Sequence, residues 1–226
     1  MLDEAGLYRL LAWLSPSYPI GAFSYSHGLE YAIEAGLVRD RATLIIWLTH
    51  LLRHGAAWVD AVLLREAHAA SADADKLDDL ADLAAAWRGT SEMALESAQQ
   101  GGSFLTITRA AWPHPGLEAF AARRKGRPLA LPIALGLAGG LQQVPVAPLI
   151  AGYLHGFAAN LVSAAVRIIP LGQTDGQKAL AALAPVVAVL LPKVLAQPLD
   201  RLASAAPMLD WASMNHETQY TRLFRS

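Results

Sequence analysis

Seven histidines, at positions 27, 50, 54, 68, 114, 155 and 216, are the residues of this chain best suited to hold a metal or move a proton near neutral pH. His50 and His54 stand four apart, so a helix would present both on one face. With His68 they could form the ligand set of a metal-dependent hydrolase. The spelling HLLRH lacks the glutamate of HExxH, and two imidazoles do not close a metal site. The pair therefore reads as surface. His27 beside Ser24 and Ser26 offers a base and a nucleophile, but no GxSxG elbow surrounds either serine. His155, in an apolar run, reads as a hydrogen-bonded core residue. Asp78, Asp79 and Asp82 read as a solvated helix face rather than paired catalytic carboxylates. GQTDG at 172–176 is a glycine-bearing turn. Lys178 is out of register for a phosphate loop, so no bound nucleotide is expected, and Thr174 or Asp175 should cap the next helix. No catalytic, cofactor or metal site is expected.

Composition narrows the classes further. Net charge is −1, and the only basic run is Arg123, Arg124, Lys125 and Arg127, with no aromatic or glycine-rich partner nearby. It reads as a solvated helix end, and neither nucleic acid nor an anionic membrane is expected as a partner. There is no cysteine, which excludes disulfides, thiolate metal sites and cysteine nucleophiles and fits a reducing compartment. Apolar residues make up 54% and charged residues 16%, so the chain has either a large interior or apolar surface that meets partners. The early acids Asp3 and Glu4 speak against a signal peptide. The long apolar run at 144–169 is interrupted by His155, Asn160, Ser163 and Arg167, so it reads as a central core helix and not a bilayer span.

The elements follow from helical periodicity. Leu7, Leu10, Leu11 and Leu14 share one face of a first helix, which Pro16 ends. A second should run from near Ser24 to a left-handed cap at Gly36. Asp40 caps a third, which Gly55 ends or kinks before helix continues over 56–70. An acidic start at 73–82 opens the next. Thr90 or Ser91 caps another, with a break or kink at Gly101 and Gly102. A turn at 112–116 precedes a short helix at 119–125 and a small-residue helix at 129–141. Pro145 opens the long apolar helix and Pro170 stops it. Helix returns over 177–196, with Pro185 and Pro192 as kinks or breaks, and a short helix lies near 208–214. No alternating strand pattern or fixed repeat is present. The expectation is an all-α, single-domain bundle of roughly ten helices over 1–226. Its C-terminal tail, 215–226, should be extended or mobile.

Three stretches carry a more specific signal. WLSPSYPIGAFSYSHGLE at 13–30 is an ordered connector: Pro16 and Pro19 push Ser15 and Tyr18 into extended backbone, Gly21 and Gly28 open otherwise closed angles, and Ser15, Ser17, Ser24 and Ser26 can satisfy backbone groups. Rigidly placed loops of this kind often carry binding. AAVRIIPLGQTDGQ occupies 164–177. NHETQYTRLFRS at 215–226 sets Arg222 and Arg225 beside Leu223 and Phe224, the composition of an interface hot spot. The tail is expected to order on a partner.

In this order, the three stretches resemble the signatures of the urease accessory protein family UreF, and the resemblance spans the chain, more loosely at 127–148. The matching positions are Ser15, Pro16, Pro19, Gly21, Ser24, His27, Gly28 and Glu30, then Arg167, Pro170, Leu171, Gly172, Gln173 and Gly176. In the tail they are His216, Glu217, Tyr220, Arg222, Leu223, Phe224, Arg225 and Ser226. The resemblance implies an all-α, cytoplasmic, non-enzymatic homodimer without a cofactor. It would bridge apo-urease, held through UreD (also called UreH), to the GTPase UreG for nickel insertion, with the matched segments as partner-binding surfaces. Two alternatives remain open: the His50/His54/His68 hydrolase, and a helical scaffold unrelated to urease.

Overall fold

The computed structural model describes residues 2–226. Among these, eleven α-helices and two short 3-10 turns occur and no strand. Helix α1 spans Glu4–Trp13, with the Asp3 carboxylate accepting from the Gly6 amide. The following connector contains one 3-10 turn, Ala22–Ser24, and α2 is only Leu29–Glu34. The expected start near Ser24 is thus five residues early. Gly21 and Gly28 take left-handed angles, as does His27 at φ 57°, and helix cannot run through them. Gly36 does close α2 in the left-handed region.

Asp40 and Thr43 form a capping box on α3, Arg41–His54, and extended Gly55 separates it from α4, Ala56–Ala69. Asp73 caps α5, Ala74–Ala86, and Thr90 caps α6, Ser91–Ala111. Helix α6 runs unbroken through Gly101 and Gly102. Their use is contact: a Cβ on Gly101 would lie 2.0 Å from the Leu129 carbonyl oxygen, so the chain entering α8 rests directly on α6. His114 caps α7, Pro115–Arg123. Helix α8, Leu131–Leu141, packs closely on α4, since a Cβ on Gly136 or Gly140 would strike the carbonyls of Leu64 or His68.

Helix α9, Val146–Ile168, packs against α2, α3, α4, α8 and α10, the central position expected of it. Helix α10, Gln173–Ala196, begins four residues earlier than expected. Gly172 is its N-cap, Thr174 and Asp175 lie in its first turn, and it continues through Pro185 and Pro192. Both α9 and α10 are long and apolar enough to cross a membrane by length and composition. Val189 and Leu195 of α10 are exposed. Helix α11 is Pro207–His216. The buried apolar side chains form one contiguous cluster drawing on nearly every helix.

Three surface expectations are corrected. His155 is exposed, not a core residue. Arg124 is buried, 2.7 Å from Asp82, and Arg123 reaches Asp78. The basic run and the acidic face of α5 therefore pair with each other, tying α7 to α5, rather than each standing in solvent. The tail is extended but not loose: Phe224 and Ser226 are buried within the protein.

Candidate partner-docking site

The tail returns across the whole chain to lie along the 13–30 connector. The Arg225 amide donates to the Ser24 carbonyl and the Ser26 amide to the Ser226 carbonyl, both at 2.8 Å. The Ser26 hydroxyl also donates to the Ser226 carbonyl and accepts from the Glu30 amide. Gly28 permits the approach of α11, since a Cβ there would lie 2.8 Å from the Ser213 amide nitrogen. The two signatures, about two hundred residues apart, thus form one unit.

Beneath this unit lies a buried polar cluster. Glu30, on the first turn of α2, accepts from the Leu223 amide at 2.8 Å and the Phe224 amide at 3.0 Å. His216, fully buried at the end of α11, sets Nε2 3.1 Å from Glu30 and Nδ1 2.7 Å from Glu92 of α6. Glu92 also receives the Arg222 guanidinium at 3.0 Å. One turn along α6, Glu96 accepts from the Ser226 hydroxyl at 2.7 Å and faces His27 Nδ1 at 3.3 Å. Burial raises the Glu92 carboxyl, and His216 and Arg222 only partly oppose it. Burial also pushes Glu96 upward, but His27 and the Ser226 hydroxyl outweigh it and hold the carboxyl below the usual range.

Arg167 joins the second signature to this unit. Its guanidinium lies over the rings of Phe23 and Phe224, 3.7 and 4.3 Å from their centroids, and donates to the Phe23 carbonyl at 3.0 Å. Phe23 is exposed beneath it, and in the tail Leu223, Arg222 and Arg225 are exposed on either side of buried Phe224 in the sequence. The site is therefore an arginine–aromatic surface on a buried carboxylate–imidazole foundation.

Of the residues singled out from the sequence, Ser24, His27, Glu30, Arg167, His216, Arg222, Leu223, Phe224 and Arg225 come together here. Gly21 lies next to them as the cap of the 3-10 turn. Ser15 and Ser17 bond each other further along the connector, and Pro16 and Pro19 are exposed there. Tyr220 is exposed and makes no hydrogen bond. Gly172 and Gln173 stand apart at the start of α10. Glu92 and Glu96 escaped the sequence reading. Their four-residue spacing puts both on one face of α6, but nothing local reveals that this face is buried.

A cavity of about 240 Å³ lies between the connector, α6 and α9. Leu14, Tyr18, Phe104 and Phe157 line it, and its polar lining includes Asp60, Arg88, His27 and Glu96. Arg88 and Asp60 form a buried ion pair at 2.6 Å, and the Tyr153 hydroxyl donates to Asp60 at 2.7 Å.

The hydrolase arrangement does not assemble. The His50 and His54 rings are 6.0 Å apart on the surface, while His68 Nε2 lies 2.8 Å from the Val144 carbonyl. Among the described residues, no three of His, Asp and Glu converge as a ligand group. Ser24 and His27 are equally unconnected, because His27 faces Glu96.

Fold and site together define an all-helical protein whose polar centre organises its own tail and connector. The UreF family profile matches residues 38–184. A urease accessory protein UreF of Methylobacterium sp. (strain 4-46) is 52% identical over 219 residues, covering 96% of this chain and 87% of the relative. That of Granulibacter bethesdensis is 50% identical over 225 residues, covering 99% and 95%. The chain belongs to the UreF family of urease accessory proteins, which are maturation factors rather than enzymes.

Proposed function

We propose that this chain is a cytoplasmic urease maturation chaperone that bridges UreD (UreH)-bound apo-urease and the GTPase UreG, so that nickel passes into the urease active site. One observation carries the reading: the connector, the tail and Arg167 of the second signature, remote in sequence, converge on one arginine–aromatic surface. Exposed Phe23, Arg167, Arg222, Leu223 and Arg225 have the composition of a binding hot spot. A tail already lying against the protein also costs less entropy to dock than a free one. By holding the GTPase and urease in register, the chain raises the effective concentration of nickel at its destination. Arg222 is tied to Glu92, which favours docking over insertion into a GTPase site as a trans-acting finger. The exposed apolar side of α10, including Val189 and Leu195, is the surface we assign to a homodimer.

The test is co-elution with purified UreD and UreG, comparing the full chain with a version ending at Asn215. Assembly by the full chain alone supports the bridge and the tail's part in it. Failure of both with folded partners overturns it. Arg222→Ala and Arg225→Ala should abolish complex formation. If they instead leave assembly intact and slow UreG turnover, the finger version replaces the docking version.

A further inference from the structure

Glu30, His216 and Glu92 do more than fill a buried space, because they share fewer protons than they have acceptor sites. An ionised carboxylate only accepts hydrogen bonds. His216 sits between Glu30 and Glu92 with one ring nitrogen on each, at 3.1 and 2.7 Å, and is itself fully buried. If both carboxylates are ionised, both nitrogens must donate, and the ring is an imidazolium. A neutral ring has one donor, and its bare nitrogen would then face a carboxylate lone pair unless that carboxyl carries the proton. The contact on both sides therefore exists only while the triad holds enough protons.

The same triad touches the tail at three points. Glu30 takes the amides of Leu223 and Phe224, and Glu92 takes Arg222. The charged groups facing His216 are Glu30 from α2, Glu92 from α6 and, through Glu92, Arg222 from the tail. Glu217 follows His216 directly and also acts on Glu92. With an imidazolium and a guanidinium against two carboxylates, the inner four charges balance.

We propose that Glu30, His216 and Glu92 act as a proton-dependent latch that positions the tail, so that the placement of Arg222, Leu223 and Phe224 follows the protonation of His216. The latch rests on geometry within this chain. Only its consequence for partner binding rests on the bridging function proposed above.

The test uses the full chain without partners, so a failed bridge and a failed latch are told apart. The amide resonances of Leu223 and Phe224 and the ring protons of His216 are followed by NMR as pH is stepped from acid to alkaline across the whole range in which the protein stays folded. The expected result is that both amides shift with the same midpoint as the His216 ring, and that amide exchange, corrected for the intrinsic pH effect, accelerates as the ring loses its proton. In His216→Gln that common midpoint should disappear while the thermal unfolding remains cooperative. Glu30→Gln, which keeps one acceptor oxygen, should protect only one of the two amides. Amides that stay fixed while the ring titrates, or that titrate unchanged in His216→Gln, overturn the latch. Because the wild-type titration is decisive alone, the proposal stands or falls even if a variant does not fold.

Discussion

Arg167 and Phe224 meet across a gap of 4.3 Å between guanidinium carbon and ring centroid, and the same guanidinium lies 3.7 Å from the Phe23 ring. This contact joins the three signature segments at a single side chain. A cation over an aromatic face contributes ~0.5–1 kcal/mol at an exposed site, so Arg167→Ala should cost about 1–2 kcal/mol in urea denaturation. Hydrogen exchange should rise in the tail before it rises in α9. Arg167→Lys keeps a charge but loses the planar stack and most of the loss should remain. Unchanged tail protection in Arg167→Ala would show that the contact holds nothing.

Acid stability should be governed by two neighbouring carboxyls acting in opposite directions. The folded-state pKa of Glu96 is depressed, so its stabilisation is full above the unfolded glutamate range and is lost as pH falls through the lower folded value. That of Glu92 is raised, so protonating it favours the folded state and stability gains as pH falls through its folded value. Glu96→Gln should therefore flatten the acid loss of stability, while Glu92→Gln should steepen it. Denaturation at a series of pH values from neutral downward reads both slopes. Two slopes that change in the same sense would contradict the assignment.

The helices were legible because their signals are local. Asp40, Asp73 and Thr90 cap where hydroxyl and carboxylate residues precede apolar periodicity, and Gly36 closes α2 with the left-handed angle its position suggests. The elements misjudged were those decided at long range. Gly101 and Gly102 look like a helix break, yet α6 is continuous, and what Gly101 serves is the approach of Leu129. The tail looks mobile by composition, and its order depends on Glu30, Glu92 and Glu96, none of them near it in sequence. His155 was misplaced because an apolar helix has a solvent side that hydropathy alone does not orient.

The adjacent glycines of α6 give a direct check on that explanation. A Cβ on Gly102 meets nothing within 4 Å, so Gly102→Ala should stabilise the helix by ~0.5–1 kcal/mol through lower chain entropy. A Cβ on Gly101 would press into backbone, so Gly101→Ala should cost ~1–3 kcal/mol or more. Thermal unfolding of the two single variants should show shifts of opposite sign. Equal shifts would mean that α6 and the chain entering α8 are not in close contact.

The buried pair beside the cavity sets the last expectation. Burial opposes the charge on Arg88, but Asp60 more than offsets this and keeps the guanidinium charged. Tyr153, donating to the same carboxylate, has its own ionisation pushed well up by burial and by Asp60. Asp60→Ala leaves the Arg88 charge uncompensated in the interior and should cost about 3–5 kcal/mol. Replacing both residues, Asp60→Leu with Arg88→Met, removes two desolvation costs together and should recover most of that loss. Tyr153→Phe removes one hydrogen bond to a charged group and should cost ~1.5–3 kcal/mol. A double variant no more stable than Asp60→Ala would mean that the pair contributes attraction beyond its mutual compensation, and that the polar lining of the cavity is itself a source of stability.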